Sequence, residues 1–104
     1  MSAEFAIKKE KKDSGMIHFT VTGRIGPESV PKFQRELEET LRTGQINMII
    51  EMSQVVYINS NGIRAILKTY KEVTRAEGVF FIKDPSAMVK NVLGMAALEQ
   101  MLLR

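Results

Sequence analysis

Residues 46–73, INMIIEMSQVVYINSNGIRAILKTYKEV, decide the fold. The stretch opens with a short, nearly continuous apolar run at 46–52, which is typical of a strand covered on both faces. The β-branched and aromatic residues VVYI follow, and they give way to the small polar residues NSNG at 59–62. A helical pattern begins at Ile63. The stretch therefore predicts a strand, a polar junction and a helix.

The helix after the junction is amphipathic. On a wheel of 100° per residue its apolar side chains share an arc of about 120°; they are Ile63, Ile66, Leu67, Tyr70, Val73 and Thr74. A cationic stripe faces away from this arc and consists of Arg64, Lys68, Lys71 and Arg75. The stripe fits either a solvated face or a dock for an acidic partner, and Arg64 lies close enough to the helix start to approach an anion there.

The rest of the chain supplies the remaining elements. Alternating residues predict strands at 4–9 and 16–22, joined by the charged turn KKDSG. A helix is predicted from Val30 to Leu41, with Ser29 as its N-cap and Gly44 just past its end. The apolar run VFFI at 79–82 predicts a second central strand. Helical segments are expected at 86–93 and 95–102, separated by Gly94.

A helix between two apolar strands implies parallel pairing through a crossover. The sequence therefore predicts a single α/β domain over residues 1–104, with a mixed sheet and helices packed mainly on one face.

Composition excludes several classes of function. The chain has no cysteine and only one histidine, His18, so it offers no disulfide framework, thiolate metal site or histidine cluster. No carboxylate pair or base is placed for catalysis, so we expect no enzyme activity, metal or cofactor. The formal charge of +3 admits an acidic partner but not the dense cation clusters of nucleic-acid binding. With neither a membrane-length apolar run nor the apolar core of a signal peptide, a cytoplasmic protein is expected.

Ser60 stands at the predicted helix start. A serine there can cap the helix by accepting an N–H bond. A phosphate on the same oxygen would bring about two negative charges to a place where unpaired N–H groups and the helix dipole favour anions. A plain cap and a phosphorylation switch both remain open.

The order of elements and the junction resemble the STAS domain, in particular the small bacterial anti-sigma factor antagonists. The junction INSNGI is similar to the family signature, an apolar-aromatic turn followed by Asp-Ser-Ser/Thr-Gly-Leu and a helix. VTGRIG at 21–26 and GVFFIKDPSAMVKNVLGMAAL at 78–98 extend the resemblance over nearly the whole chain. It implies an STAS-type sandwich with four to five strands, the closing MLLR fitting the start of a fifth.

The resemblance also implies a function. In the family the serine after the Asp is phosphorylated by an anti-sigma factor that is itself a serine kinase. A phosphatase reverses this, and the antagonist then binds the anti-sigma factor and frees a sigma factor. By position the phosphoacceptor is Ser60, and the partner or anion surface comprises Asn59, Asn61, Gly62, Arg64 and Lys68. No direct contact with nucleic acid or a membrane is expected, and a weak homodimer is left open.

Three departures from the family pattern support a second interpretation. Asn59 replaces the usual Asp, Asn61 replaces a Ser or Thr, and Arg64 stands where the family often has Gly. The first and third changes make the loop more favourable to an anion. The alternative is a STAS module that binds a nucleotide or another anion, or a non-phosphorylated subunit of a signalling assembly.

Overall fold

The computed structural model describes residues 4–95. They form a hairpin, two overlapping strand–helix–strand units and a last helix. The elements are β1 (Ala6–Lys11), β2 (Ile17–Ile25), α1 (Val30–Arg42), β3 (Asn47–Ile58), α2 (Ser60–Arg75), β4 (Val79–Lys83) and α3 (Ala87–Met95). The four strands lie in the order β1-β2-β3-β4. β1 pairs with β2 antiparallel, whereas β2 with β3 and β3 with β4 pair parallel. The predicted mixed α/β sheet is confirmed.

The core lies on one face of this sheet. Alternate residues of β2 and β3 are buried there in register, with Ile17 opposite Met48 and Phe19 opposite Ile50. All three helices contribute to the same cluster, through Val30, Phe33 and Leu37 of α1, Ala65, Ile66 and Val73 of α2, and Val89 and Leu93 of α3. Burial of this apolar surface is the main favourable term in folding. The prediction of one domain over 1–104 stays a prediction.

On the opposite face of the sheet, the structure differs from the prediction that the apolar runs at 46–52 and 79–82 form strands covered on both faces. Described residues leave Ile49 and Phe81 only half-buried and Val79 37% exposed, so these strands are not covered on both faces by residues 4–95. Within the described sheet β3 is central, as predicted, but β4 lies at an edge. The apolar runs thus correctly predict that these segments are strands, but they do not predict where each strand lies in the sheet.

Several boundaries also differ from the prediction. β3 continues through VVYI to Ile58, and α3 continues through Gly94. In α2, Thr74 is exposed and Thr69 is buried instead. The buried hydroxyl of Thr69 is satisfied because it donates to the carbonyl oxygen of Ala65 at 2.8 Å. The predicted helix at 95–102, after Met95, and the strand suggested at MLLR lie outside the described residues.

Ser29 occupies the N-cap position of α1 but makes no capping bond. Its φ and ψ of −101° and −20° are helical, whereas a capping side chain normally requires extended backbone. Its hydroxyl instead accepts from the amide of Gly26 at 2.9 Å and donates to the carbonyl oxygen of Arg24 at 2.6 Å. The predicted cap is therefore wrong, and Ser29 braces the loop that follows β2.

Helices α1 and α2 end in the same way but with different residues. After α1, Gly44 has φ +87° and the next amide, of Gln45, donates to the carbonyl oxygen of Thr40. After α2, Glu77 has φ +64°, and the next amide, of Gly78, donates to the carbonyl oxygen of Val73 at 2.8 Å. Both are Schellman motifs, in which glycine is preferred at the left-handed position. Glu77 carries a side chain where that conformation is costly.

We expect Glu77→Gly to raise the free energy of unfolding by about 0.5–1 kcal/mol, because relief of the left-handed strain exceeds the entropy gained by the unfolded chain. Gly44→Ala, the reciprocal change at the matching position, should lower it by about 1 kcal/mol. Urea denaturation followed by circular dichroism measures both. A Glu77→Gly protein less stable than the wild type would contradict the strain argument.

Candidate functional site

Asn59 links the end of β3 to the start of α2. Its backbone is extended, with φ −90° and ψ 178°, and its side-chain Oδ1 accepts a hydrogen bond from the amide of Gly62 at 2.8 Å. Its own amide donates to the carbonyl oxygen of Ile25 in β2 at 3.0 Å, and its carbonyl oxygen accepts from the amide of Ile63 at 3.1 Å. Asn59 is therefore the N-cap of α2 and also joins the helix start to the neighbouring strand.

Ser60 is the first residue of α2 and is exposed. The predicted capping role for Ser60 is wrong, because Asn59 fills it. Across residues 4–95, the Ser60 hydroxyl makes no hydrogen bond, and the amides of Ser60 and Asn61 have no partner. Such unpaired donors are normal in a first helical turn. The hydroxyl is therefore accessible and not engaged in holding the helix.

Gly62 lies where the helix start packs tightly against the ends of β2 and β3. A Cβ at this position would lie 2.7 Å from Cγ1 of Ile58 and 2.9 Å from Cγ2 of Ile25, shorter than real contacts. Because Gly62 is buried, the geometry gives it a packing role. Its predicted part in partner binding stays a prediction.

Arg64 and Asn61 form the exposed side of the first turn. Nη1 of Arg64 donates to Oδ1 of Asn61 at 2.9 Å, so the guanidinium turns back toward the helix start. Lys68 does not join them, since its Nζ lies 3.4 Å from Oε2 of Glu38 on α1. It stands eight residues after Ser60, about 12 Å farther along the helix axis. The structure thus brings together all the predicted site residues except Lys68.

Sequence reasoning missed three neighbours of this junction. Cζ of Arg24 lies 4.5 Å from the centroid of the Tyr57 ring, and Val56 and Tyr57 are 52% and 37% exposed. The segments VTGRIG and VVYI are part of the sequence resemblance and the predicted strand end, but only the strand register shows that Arg24 and Tyr57 are opposite each other. No local pattern signals a contact across 33 positions.

The described residues also limit the chemistry of the site. Nowhere in residues 4–95 do three or more His, Cys, Asp or Glu side chains gather so as to hold a metal ion. None of the helices in the same range combines the length and apolar composition that crossing a membrane requires. What the junction presents is an accessible hydroxyl beside unpaired amides and an arginine.

Comparison with known proteins decides the family. The model of the STAS domain matches residues 7–103. The chain belongs to the STAS domain family. No curated protein matches the sequence.

Solved structures share the STAS fold at low identity. The anti-sigma factor antagonist SpoIIAA in its unphosphorylated form has a TM-score of 0.83 at 16% identity, over 94% of this chain and 86% of that one. The phosphorylated form of the Bacillus cell fate determinant SpoIIAA has a TM-score of 0.79 at 15% identity, over 94% and 89%. An anti-sigma factor antagonist from Mycobacterium paratuberculosis reaches 0.85 at 18% identity, over 98% and 87%.

The geometry explains how this STAS chain accommodates Asn59. Asn and Asp are equally good N-caps, since either side chain offers an oxygen to the amide two or three residues on. The replacement therefore keeps the junction's structure and removes only a negative charge.

We expect Asn59→Ala to lower the free energy of unfolding by about 1 kcal/mol, because the amide of Gly62 loses its partner. Asn59→Asp should be at least as stable as the wild type at neutral pH, since it keeps the cap and adds an anion at the helix start. Thermal and urea denaturation of both proteins measures this. Equal losses in the two variants would show that the amide nitrogen, and not the capping oxygen, matters.

Gly62→Ala should destabilise the domain by about 1–3 kcal/mol, because the added methyl overlaps Ile58 and Ile25. The matched control is Asn61→Ala on the same turn, whose exposed side chain should contribute less than about 0.5 kcal/mol. Urea denaturation of the two proteins separates the packing effect from a general effect of alanine. A Gly62→Ala protein as stable as its control would show that the helix start can move aside.

Proposed function

We propose that this STAS domain is an anti-sigma factor antagonist, a regulator and not an enzyme, that is switched by phosphorylation of Ser60. The observation that carries the proposal is the exposed hydroxyl of Ser60 at the start of α2, which makes no hydrogen bond within residues 4–95 because capping is left to Asn59. A capping serine would keep its side-chain oxygen turned toward the amides of the first helical turn, whereas this hydroxyl is left open to a kinase. Here modification leaves the fold intact and changes only the surface.

The proposed partners are a kinase-type anti-sigma factor and a phosphatase, and the proposed location is the cytoplasm, where transcription is regulated. The kinase transfers the γ-phosphoryl group of ATP to Oγ of Ser60; ADP leaves and the hydroxyl proton passes to a base of the kinase. The phosphatase hydrolyses the ester with water and releases inorganic phosphate. Similarity to SpoIIAA structures in both unphosphorylated and phosphorylated forms supports this cycle.

Electrostatics provides the switch. The first turn of α2 holds no acidic residue, and Arg64 lies beside it. A phosphate adds about −1.5 to −2 charges at neutral pH. The unphosphorylated junction therefore offers a partner a cationic surface with a small hydroxyl, whereas the phosphorylated one offers an anion. Such a loss of positive charge is enough to end an association that depends on charge complementarity.

The test is intact-mass analysis after incubation with ATP and each candidate kinase-type anti-sigma factor of the source organism. We expect a gain of one phosphate group that disappears in Ser60→Ala and persists in Ser53→Ala, an exposed serine of β3. Ser60→Asp should weaken binding of the anti-sigma factor by at least about tenfold.

Two results would contradict the switch. One is a phosphate that survives Ser60→Ala; the other is a Ser60→Asp protein that binds like the wild type. Binding without phosphorylation by any kinase would instead favour a constitutive subunit of a signalling assembly. The nucleotide-binding alternative is tested separately by calorimetric titration with ATP and inorganic phosphate.

A further inference from the structure

Beside Ser60, the end of β3 turns two consecutive large side chains outward. From Ile17 to Thr20, each residue of β2 pairs with the residue of β3 that stands 31 positions later in the chain. At Arg24 and Ile25 this separation is 33 positions. The last shift leaves Val56 as an extra residue, so Val56 and Tyr57 are both exposed while Val55 and Ile58 stay buried. Bulges are common next to functional sites because they redirect side chains in this way.

Arg24 is held over the exposed ring of Tyr57. Its Cζ lies 4.5 Å from the ring centroid, a cation–π arrangement that orients the guanidinium. Neither ion pair found in residues 4–95 involves Arg24, and Glu28, the acidic residue of the following loop, forms none with it. Since no carboxylate of the described residues pairs with it, the guanidinium has N–H donors to offer a carboxylate of a partner.

The patch is fixed to the phosphorylation site. The carbonyl oxygen of Ile25, next to Arg24, accepts the amide of Asn59, next to Ser60. The Tyr57 ring in turn packs close to Gly26, where an added Cβ would lie 3.6 Å from Cε2 of the ring. A partner that docks on Arg24 and Tyr57 is thus held at a constant position relative to the Ser60 hydroxyl.

We propose that Arg24, Val56 and Tyr57 form a docking patch for a segment of the anti-sigma factor that carries carboxylates beside an apolar side chain, and that Arg24 determines which anti-sigma factor binds. The inference rests on the proposed function. Arg and Tyr are the residue types enriched among those that dominate binding energy, and a preoriented guanidinium loses little freedom on binding. A phosphate on Ser60 would repel the same carboxylates.

The test is calorimetric titration of the unphosphorylated protein with each candidate anti-sigma factor. We expect Arg24→Ala to raise Kd about tenfold and Arg24→Glu at least about thirtyfold, with weaker dependence on salt in both. Tyr57→Ala should weaken binding about tenfold, whereas Tyr57→Phe, which keeps the ring, should stay within about twofold. The charge-matched control Arg35→Glu, on an exposed arginine of α1, should also stay within about twofold.

The outcomes separate this inference from the proposed function. Full binding by Arg24→Glu, or an equal loss in Arg35→Glu, overturns the patch and leaves the antagonist role standing. A wild-type protein that binds none of the anti-sigma factors overturns both. A wild-type dimer in sedimentation analysis that Arg24→Glu dissociates would assign the patch to a second copy of the chain and overturn the inference. Circular dichroism melting checks that each variant is folded.

Discussion

The close approach of the first turn of α2 to the ends of β2 and β3 is the constraint on which the site depends. Gly62 permits it, because any side chain there would overlap Ile58 and Ile25. The amide of Asn59 then reaches the carbonyl oxygen of Ile25, and its side chain caps the helix. Residues two apart on a helix point about 200° from each other. With Gly62 against the core, Ser60 must therefore face outward.

A second constraint comes from β3, which is longer than its alternating pattern indicates. Two extra residues relative to β2 change which side chains face the core, so that Val55 and Ile58 are buried although they are three positions apart. A regular strand would have alternated through this stretch and buried one of Val56 and Tyr57. The irregular pairing is what places an aromatic ring and an arginine at the same edge as Ser60.

Much of this fold could be predicted from the sequence because its signals are local. A parallel strand–helix–strand unit is indicated by the 3.6-residue period of α2 and by the apolar runs of β3 and β4. The polar junction between β3 and α2 indicates the place of the site. The capping residue could not be decided locally, since it depends on whether the backbone at 59 or at 60 is extended. The Ser29 cap failed for the same reason: its backbone is helical and its hydroxyl serves the loop. The contact between Arg24 and Tyr57 could not be predicted, because it depends on a strand register that bulges alter.

Asn59 also determines what the proposed phosphorylation of Ser60 would do to the charge of the junction. Among residues 4–95, Arg24 and Arg64 place about two positive charges beside the junction, and the first turn of the helix holds no acid. A phosphate of about −2 would bring that surface close to neutral. With an aspartate at position 59, the net charge of the surface would instead be about +1 before phosphorylation and about −1 after it. The proposed phosphorylation of Ser60 would therefore act mainly by removing attraction for an acidic partner, and screening by salt should imitate its effect on the unmodified protein.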